Sequence, residues 1–306
     1  MIAAASILES SRSADAGVSP IVQKCFGLLT ISRSARAAPG LLPPFLGARR
    51  SYDRRMRFVP LEEARTAPGW KLVVAASLPS PWSEAAKGIL HVKGIDAVLV
   101  RFASSDAAVK EWMGWHNVPV LLVPGEPIRT HWSDILEAAE RAGGPPLVPR
   151  DPDARARLFG LAHDLLGENG LVWAGRLLVI HRGLVTEGKE GFPLRVARYL
   201  APKYGHAPER IDAARDRVRS LFDRFAALVD GRPYALGHEL TALDLYLATA
   251  LAPFAQMPED LCPGIHPAVR HAFDTAAPDL WAALPSALRA HRDRIYERHL
   301  ELPVRL

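Results

Sequence analysis

In the run NVPVLL at residues 117–122, Pro119 opens an apolar stretch that otherwise reads as a good strand. Proline has no N–H to give to a ladder, so it belongs at a strand head where its bond geometry is wanted. A cis Val118–Pro119 bond would turn the Val118 backbone N–H and C=O outward, offering an extended peptide ligand a pair of partners. A second run, SLPSPWS at 77–83, places Ser80 directly before Pro81 at what reads as a helix start, with Glu84 in the first turn. Ser80 is there an N-cap candidate and Pro81 the first helical residue. The only two cysteines, Cys25 and Cys262, have neither metal nor redox spacing. They fit a reducing compartment, with Cys262 read as a buried small hydrophobe.

These residues need a scaffold, and the sequence supplies one in two regimes. WKLVVAA from Trp70 reads as a strand, residues 80–93 as a helix stopped by Gly94, and DAVLVRF at 96–102 as a second strand. Ser104 to Met113 is a short helix or loop, VPVLLV with the segment from Glu126 to Thr130 a β-hairpin, and His131 to Ala142 a helix ended by Gly143 and Gly144. The order β-α-β-α-β-β-α fits a small mixed sheet flanked by helices. After GGPPLVPRDP no strand pattern remains. Helices are expected near 152–166, 170–182, 191–203, 208–229, 241–255 and 266–300. In LTALDLYLATAL, Thr241 and Asp244 form a capping box and Leu240 and Leu245 a hydrophobic staple, the marks of a core helix.

A length of 306 residues with 49% apolar residues and seven Trp suits two packed domains. The formal charge of +5 points to nucleic acid only until it is located: residues 1–55 hold eight Arg or Lys against three acids, and the remainder is balanced at 30 of each. The folded body is neutral, which removes the main support for a nucleic-acid partner. The Ala-, Ser- and Arg-rich extension has the composition of an organellar transit peptide. It equally fits an upstream start assigned too early, with Met56 of MRFVPLEEARTAPGW as the true one. We favour the second account, hence a cytoplasmic protein with residues 1–55 disordered or loosely helical. No apolar run approaches a membrane span.

A βαβ half with Val-Pro at the head of its third strand, followed by an all-helical half carrying YALGHELTALDLYLA, resembles a glutathione S-transferase. The resemblance covers roughly residues 70–300 and rests on the order and separation of NVPVLL and the Gly237, Thr241, Asp244 run. EDLCPGIHPAVRHAFD and the closing HLELPVRL are similar to a bacterial branch of that superfamily. It implies a thioredoxin-like domain at 56–144, an all-α domain at 151–306, and a homodimer. It also implies glutathione as co-substrate, lying along Val118 and Pro119 with its thiol near the start of the first helix of SLPSPWS.

The implied chemistry is conjugation of the thiolate to a small electrophile, or reduction of one. Ser80 is the first candidate for hydrogen-bonding the thiolate and Ser77 the second; the same position also suits an ordinary N-cap whose oxygen faces the backbone. Cys is absent at both Ser80 and Ser83, which argues against dithiol exchange. The family's Thr-Glu-Ser-Xaa-Ala-Ile, which grips the γ-glutamyl end, is replaced by Thr130, His131, Trp132, Ser133, Asp134, Ile135. His131, Trp132, Ser133 and Asp134 are therefore the glutathione-binding candidates at that end. Alternatively, Trp132 packs on the sheet and His131 is solvated. Trp112, Trp115, Trp173 and Arg176 are candidates for the electrophile pocket, with Arg176 suited to an anionic substrate. The competing reading is a non-catalytic binding or dimerisation module of the same fold.

Overall fold

Four strands build the sheet: β1 (Met56–Phe58), β2 (Trp70–Ala75), β3 (Ala97–Phe102) and β4 (Val120–Leu122), side by side in the order β1-β3-β2-β4. β1 and β2 run parallel to β3, and β4 runs antiparallel to β2 with Val73 opposite Val120. The computed structural model describes residues 56–306, which lie within one compact unit. The readings of residues 1–55, Cys25 included, fall outside them.

Side-chain alternation explains why the strands are mostly apolar, with Arg57, Lys71 and Arg101 as the charged exceptions: successive residues point to opposite faces, and both faces are covered. Leu72, Val74, Leu99 and Leu121 join the large core, while Val73, Val98, Val100 and Val120 form a second, smaller one. Around the sheet lie α1 (Leu61–Thr66), α2 (Pro81–Lys93), α3 (Ala107–Met113) and α4 (Trp132–Arg141). Ala64 of α1 and Val109 and Met113 of α3 fill the smaller core. Ala85, Ala86, Ile89 and Leu90 of α2 and Ile135 and Leu136 of α4 fill the larger. Gly94 closes α2 at φ +70°, and its N–H returns to Leu90 and His91. The expected hairpin is one bridge, Leu121 to Arg129, with both backbone bonds at 2.9 Å.

Two expectations need correction. β1 and α1 precede the first strand read from the sequence; the three-residue MRF carries no pattern of its own and becomes a strand only by pairing with Ala97–Leu99. The single helix expected over 266–300 is three: α10 (Pro267–Ala276), α11 (Pro278–Ala282) and α12 (Ser286–His299). Pro278 and Pro285 lack the N–H that a continuous helix needs there and instead stand at the heads of new ones.

The other helices follow the reading closely except at the end of the last, where the helix expected to 255 stops at Ala250: α5 (Pro152–Leu166), α6 (Leu171–Val185), α7 (Leu194–Lys203), α8 (Ile211–Val229) and α9 (Ala242–Ala250). Every residue of α9 is buried. It packs on α2, α5 and α12, and so joins the two halves. Its Asp244 carboxylate accepts from Thr241 N and Oγ1 at 2.9 and 3.0 Å and from Ala235 N at 2.7 Å, so that the acid half of the capping box also pins the preceding loop.

Candidate functional site

β2 ends beside the loop that starts α2. With Val73 opposite Val120, continuing the antiparallel register sets Ala75 beside Val118, one step from Ser77–Ser80. The Val118–Pro119 bond is cis. Neither the N–H nor the C=O of Val118 forms a backbone hydrogen bond to any described residue, whereas Leu121 exchanges two with Arg129. Sheet pairing thus stops just short of Val118 and leaves a main-chain donor and acceptor next to a helix N-terminus.

The three serines of the loop have separate fates. Ser83 Oγ accepts the Ala75 N–H at 3.2 Å, which fastens α2 to the end of β2. Ser77 is exposed at φ +56°, and its carbonyl accepts from His266 N at 3.0 Å. Ser80 occupies the N-cap position and is buried, yet its hydroxyl makes no capping bond. The ordinary-cap reading is therefore not what the structure adopts. Pro79 faces Ala248 of α9, Ala252 just beyond its end and the Cys262 loop across a small cavity. Cys262 is buried; desolvation first and the Glu84 charge second push its thiol up to about 11, in keeping with an inert role.

At the head of α4, His131 is exposed and its Nδ1 lies 2.7 Å from Ser133 Oγ, which donates to Asp134 Oδ1 at 3.1 Å. Ser133 and Asp134 are half-buried and face outward together. Trp132 turns the other way. It is 8% exposed, with Tyr246 and Phe159 at 5.5 and 6.1 Å between ring centroids. Of the four candidates at this end, Trp132 is thus a packing residue, and its indole Nε1 is buried without a partner among the described residues.

Of the pocket candidates, Trp112 packs against the smaller core, and Trp115 is exposed with its ring 4.9 Å from His116. Trp173 and Arg176 share one face of α6. Trp173 meets Tyr204 at 4.7 Å, and Arg176 lies against the Phe192–Phe273 ring pair with its guanidinium 5.2 and 5.8 Å from their ring centres. Three residues absent from the sequence reading complete this corner: Tyr204, Lys203 and Asn117. Lys203 Nζ donates to Asn117 Oδ1 at 2.6 Å, which bridges α7 to the residue before Val118. A Lys-Tyr pair at a helix end reads as a solvated terminus, so nothing local announced it.

No family model and no curated protein matches the sequence. Solved structures do. A glutathione S-transferase domain-containing protein from Marinobacter aquaeolei superposes with a TM-score of 0.54 at 16% identity, covering 76% of this chain and 100% of that one. The chain has the glutathione S-transferase fold. A glutathione S-transferase from Methylobacterium radiotolerans, in complex with glutathione sulfonate, gives 0.51 at 20% identity over 75% of this chain and 91% of its own. A glutathione transferase family member from Pseudomonas fluorescens, with two glutathione bound, gives 0.52 at 15% over 77% and 93%. Within the glutathione S-transferase fold, Val118, the α2 head and the α4 head come from the thioredoxin-like half, and Trp173, Arg176 and Tyr204 from the helical half.

Proposed function

We propose that the chain binds glutathione and transfers its thiolate to a small electrophile. The observation that carries this reading is the unpaired Val118 backbone beside the Ser77–Ser80 loop; two structural neighbours with glutathione or its sulfonate bound lend further support. A cysteine thiol with a pKa of about 8.5 is only a few per cent ionised near neutrality. The N-terminus of α2 and the Ser80 hydroxyl, which has no partner among the described residues, together favour the thiolate. Its sulfur then bonds to the electrophilic carbon, and the leaving group departs with the bonding pair or the carbon's π electrons move onto an adjacent atom. His131, Ser133 and Asp134 serve the γ-glutamyl end, with Asp134 toward the ammonium and the α4 backbone N–H groups toward the carboxylate. A homodimer belongs to the same reading.

One observation favours the non-catalytic alternative: Trp132, aligned with a family gripping position, is spent on the core. Retention on immobilised glutathione, with a rise in melting temperature in millimolar glutathione, is the expected result. Absence of both would leave a fold kept for binding or dimerisation alone.

A further inference from the structure

Four Lys or Arg side chains are buried among the described residues: Lys87, Lys93, Arg176 and Arg292. Three have a carboxylate partner, Glu84 at 2.8 Å, Glu140 at 2.7 Å and Asp293 at 2.7 Å. Arg176 has none among the described residues. A buried guanidinium stays charged, and one left without an anion carries an uncompensated desolvation penalty. The faces of Phe192 and Phe273 offset part of that cost but offer no hydrogen-bond acceptor. The neighbouring charge has the same sign: desolvation first and Arg176 second push the Lys203 ammonium below the usual lysine range. The Arg176 guanidinium also approaches the Tyr204 hydroxyl, whose own ionisation burial opposes. Two cations therefore converge where the described residues supply no anion. They do so at the interdomain corner, since Lys203 is exposed and reaches Asn117 beside the unpaired Val118 backbone.

We propose that Arg176, Lys203 and Tyr204 form a subsite for the carboxylate of the second substrate, making the acceptor a small anionic electrophile. The guanidinium fork grips a carboxylate in two parallel bonds, and Lys203, with two ammonium hydrogens beyond the Asn117 bond, closes over its outer oxygen. The rings of Trp173 and Tyr204 beside the subsite favour a flat body on the acceptor. The identity of the acceptor rests on the glutathione reading; anion binding by these residues does not.

The test separates the two. Binding of 3-nitrobenzoate and of its methyl ester is followed without glutathione by quenching of tryptophan fluorescence. Turnover of 4-chloro-3-nitrobenzoate and its methyl ester is followed with glutathione, whose thiolate displaces chloride. The wild type should prefer the acid in both. Arg176→Gln should lower the acid-to-ester ratio about 10- to 100-fold, the effect of one charge-assisted contact, and exposed Lys203→Ala should lower it by less. If Arg176→Gln does not fold, Arg176→Lys, which keeps the charge but loses the fork, takes its place. Equal binding of acid and ester by the wild type, or an unchanged ratio in folded variants, overturns the proposal. So does a tenfold loss of glutathione affinity at a constant ratio, which would assign these cations to a carboxylate of glutathione itself. Acid-selective binding by a protein that does not bind glutathione supports the subsite and overturns the proposed function.

Discussion

At the scale of single residues, Ser80 is the position on which the proposed chemistry turns. A serine ahead of a helix normally gives its oxygen to a backbone N–H of the first turn. Here the hydroxyl is left over, while Ser83 satisfies Ala75 N and Ser77 is held by its carbonyl. A hydroxyl that stabilises no part of the fold costs little to remove from it but has a large effect on a thiolate it solvates. Ser80→Ala should therefore raise the thiol pKa of bound glutathione by about one to two units, lowering turnover near neutrality about 10- to 100-fold. Its melting temperature and glutathione affinity should barely move. Ultraviolet titration of the bound thiolate and the pH–rate profile measure this directly. An unchanged profile would remove Ser80 from the role and make Ser77 the residue to replace.

At the scale of elements, α12 is fastened to α9 by a contact that responds to pH. His291 is fully buried, with its Nε2 3.5 Å from Asp244 Oδ1, a distance too long for a good hydrogen bond, and its Nδ1 3.1 Å from the Arg294 guanidinium. Desolvation first and the Arg294 charge second hold its pKa down to about 4, against the ordinary 6.5. The unfolded chain thus takes up this proton as pH falls through about 6.5 while the folded chain waits until about 4, so stability is lost on acidification across that window. The loss is about 3 kcal/mol at one pKa unit per 1.4 kcal/mol. Denaturant unfolding between pH 7 and pH 4 should show the wild type losing roughly that much relative to His291→Gln, in which Asp244 still titrates. Parallel curves would show that His291 is no more reluctant to ionise when folded.

The α9 contact also illustrates what the sequence made legible. The Thr241-Asp244 box, the α2 start at Pro81 and the Gly94 stop are local features whose partners lie within a few residues, and each is legible in the sequence alone. β1 was not, because its three residues acquire strand geometry only from β3, some forty positions on. The corner of Arg176, Tyr204, Lys203 and Asn117 was half legible: the i, i+3 spacing put Trp173 and Arg176 on one face, but the hydrogen bond that places Lys203 beside Val118 spans 86 residues. Spacing announces which residues share a face; it does not announce what that face meets.

At the scale of the whole molecule, the two halves are joined by more than α9. Trp82 Nε1 of α2 donates to Leu166 O at 2.9 Å, and the segment after α12 returns to the sheet. Lys87 Nζ donates to Arg305 O at 2.5 Å, Arg101 Nε to Leu306 O at 2.6 Å and Arg305 Nη2 to Met56 O at 2.9 Å, while Val304 N reaches Leu261 O at 2.8 Å. Val304 and Leu306 are buried under this network, and Lys87 and Glu84 are buried beside it. Burial pushes the Glu84 carboxyl up, Lys87 holds it down and Glu301 adds to the rise, so this is a charge balance the segment helps to maintain. A chain stopped after Glu301 loses two buried aliphatic side chains and the carbonyl that solvates Lys87. At roughly 1.5–3 kcal/mol for each apolar side chain and a similar amount for the charged hydrogen bond, the expected loss is about 4 kcal/mol or more, a large share of an ordinary domain's stability. Because Arg305 also holds the Met56 carbonyl, amide exchange in β1 should rise first, ahead of exchange in α9, where the Thr241-Asp244 bonds are untouched. A shortened chain with an unchanged denaturation midpoint and a protected β1 would mean that α2 and α9 hold the halves together without this segment.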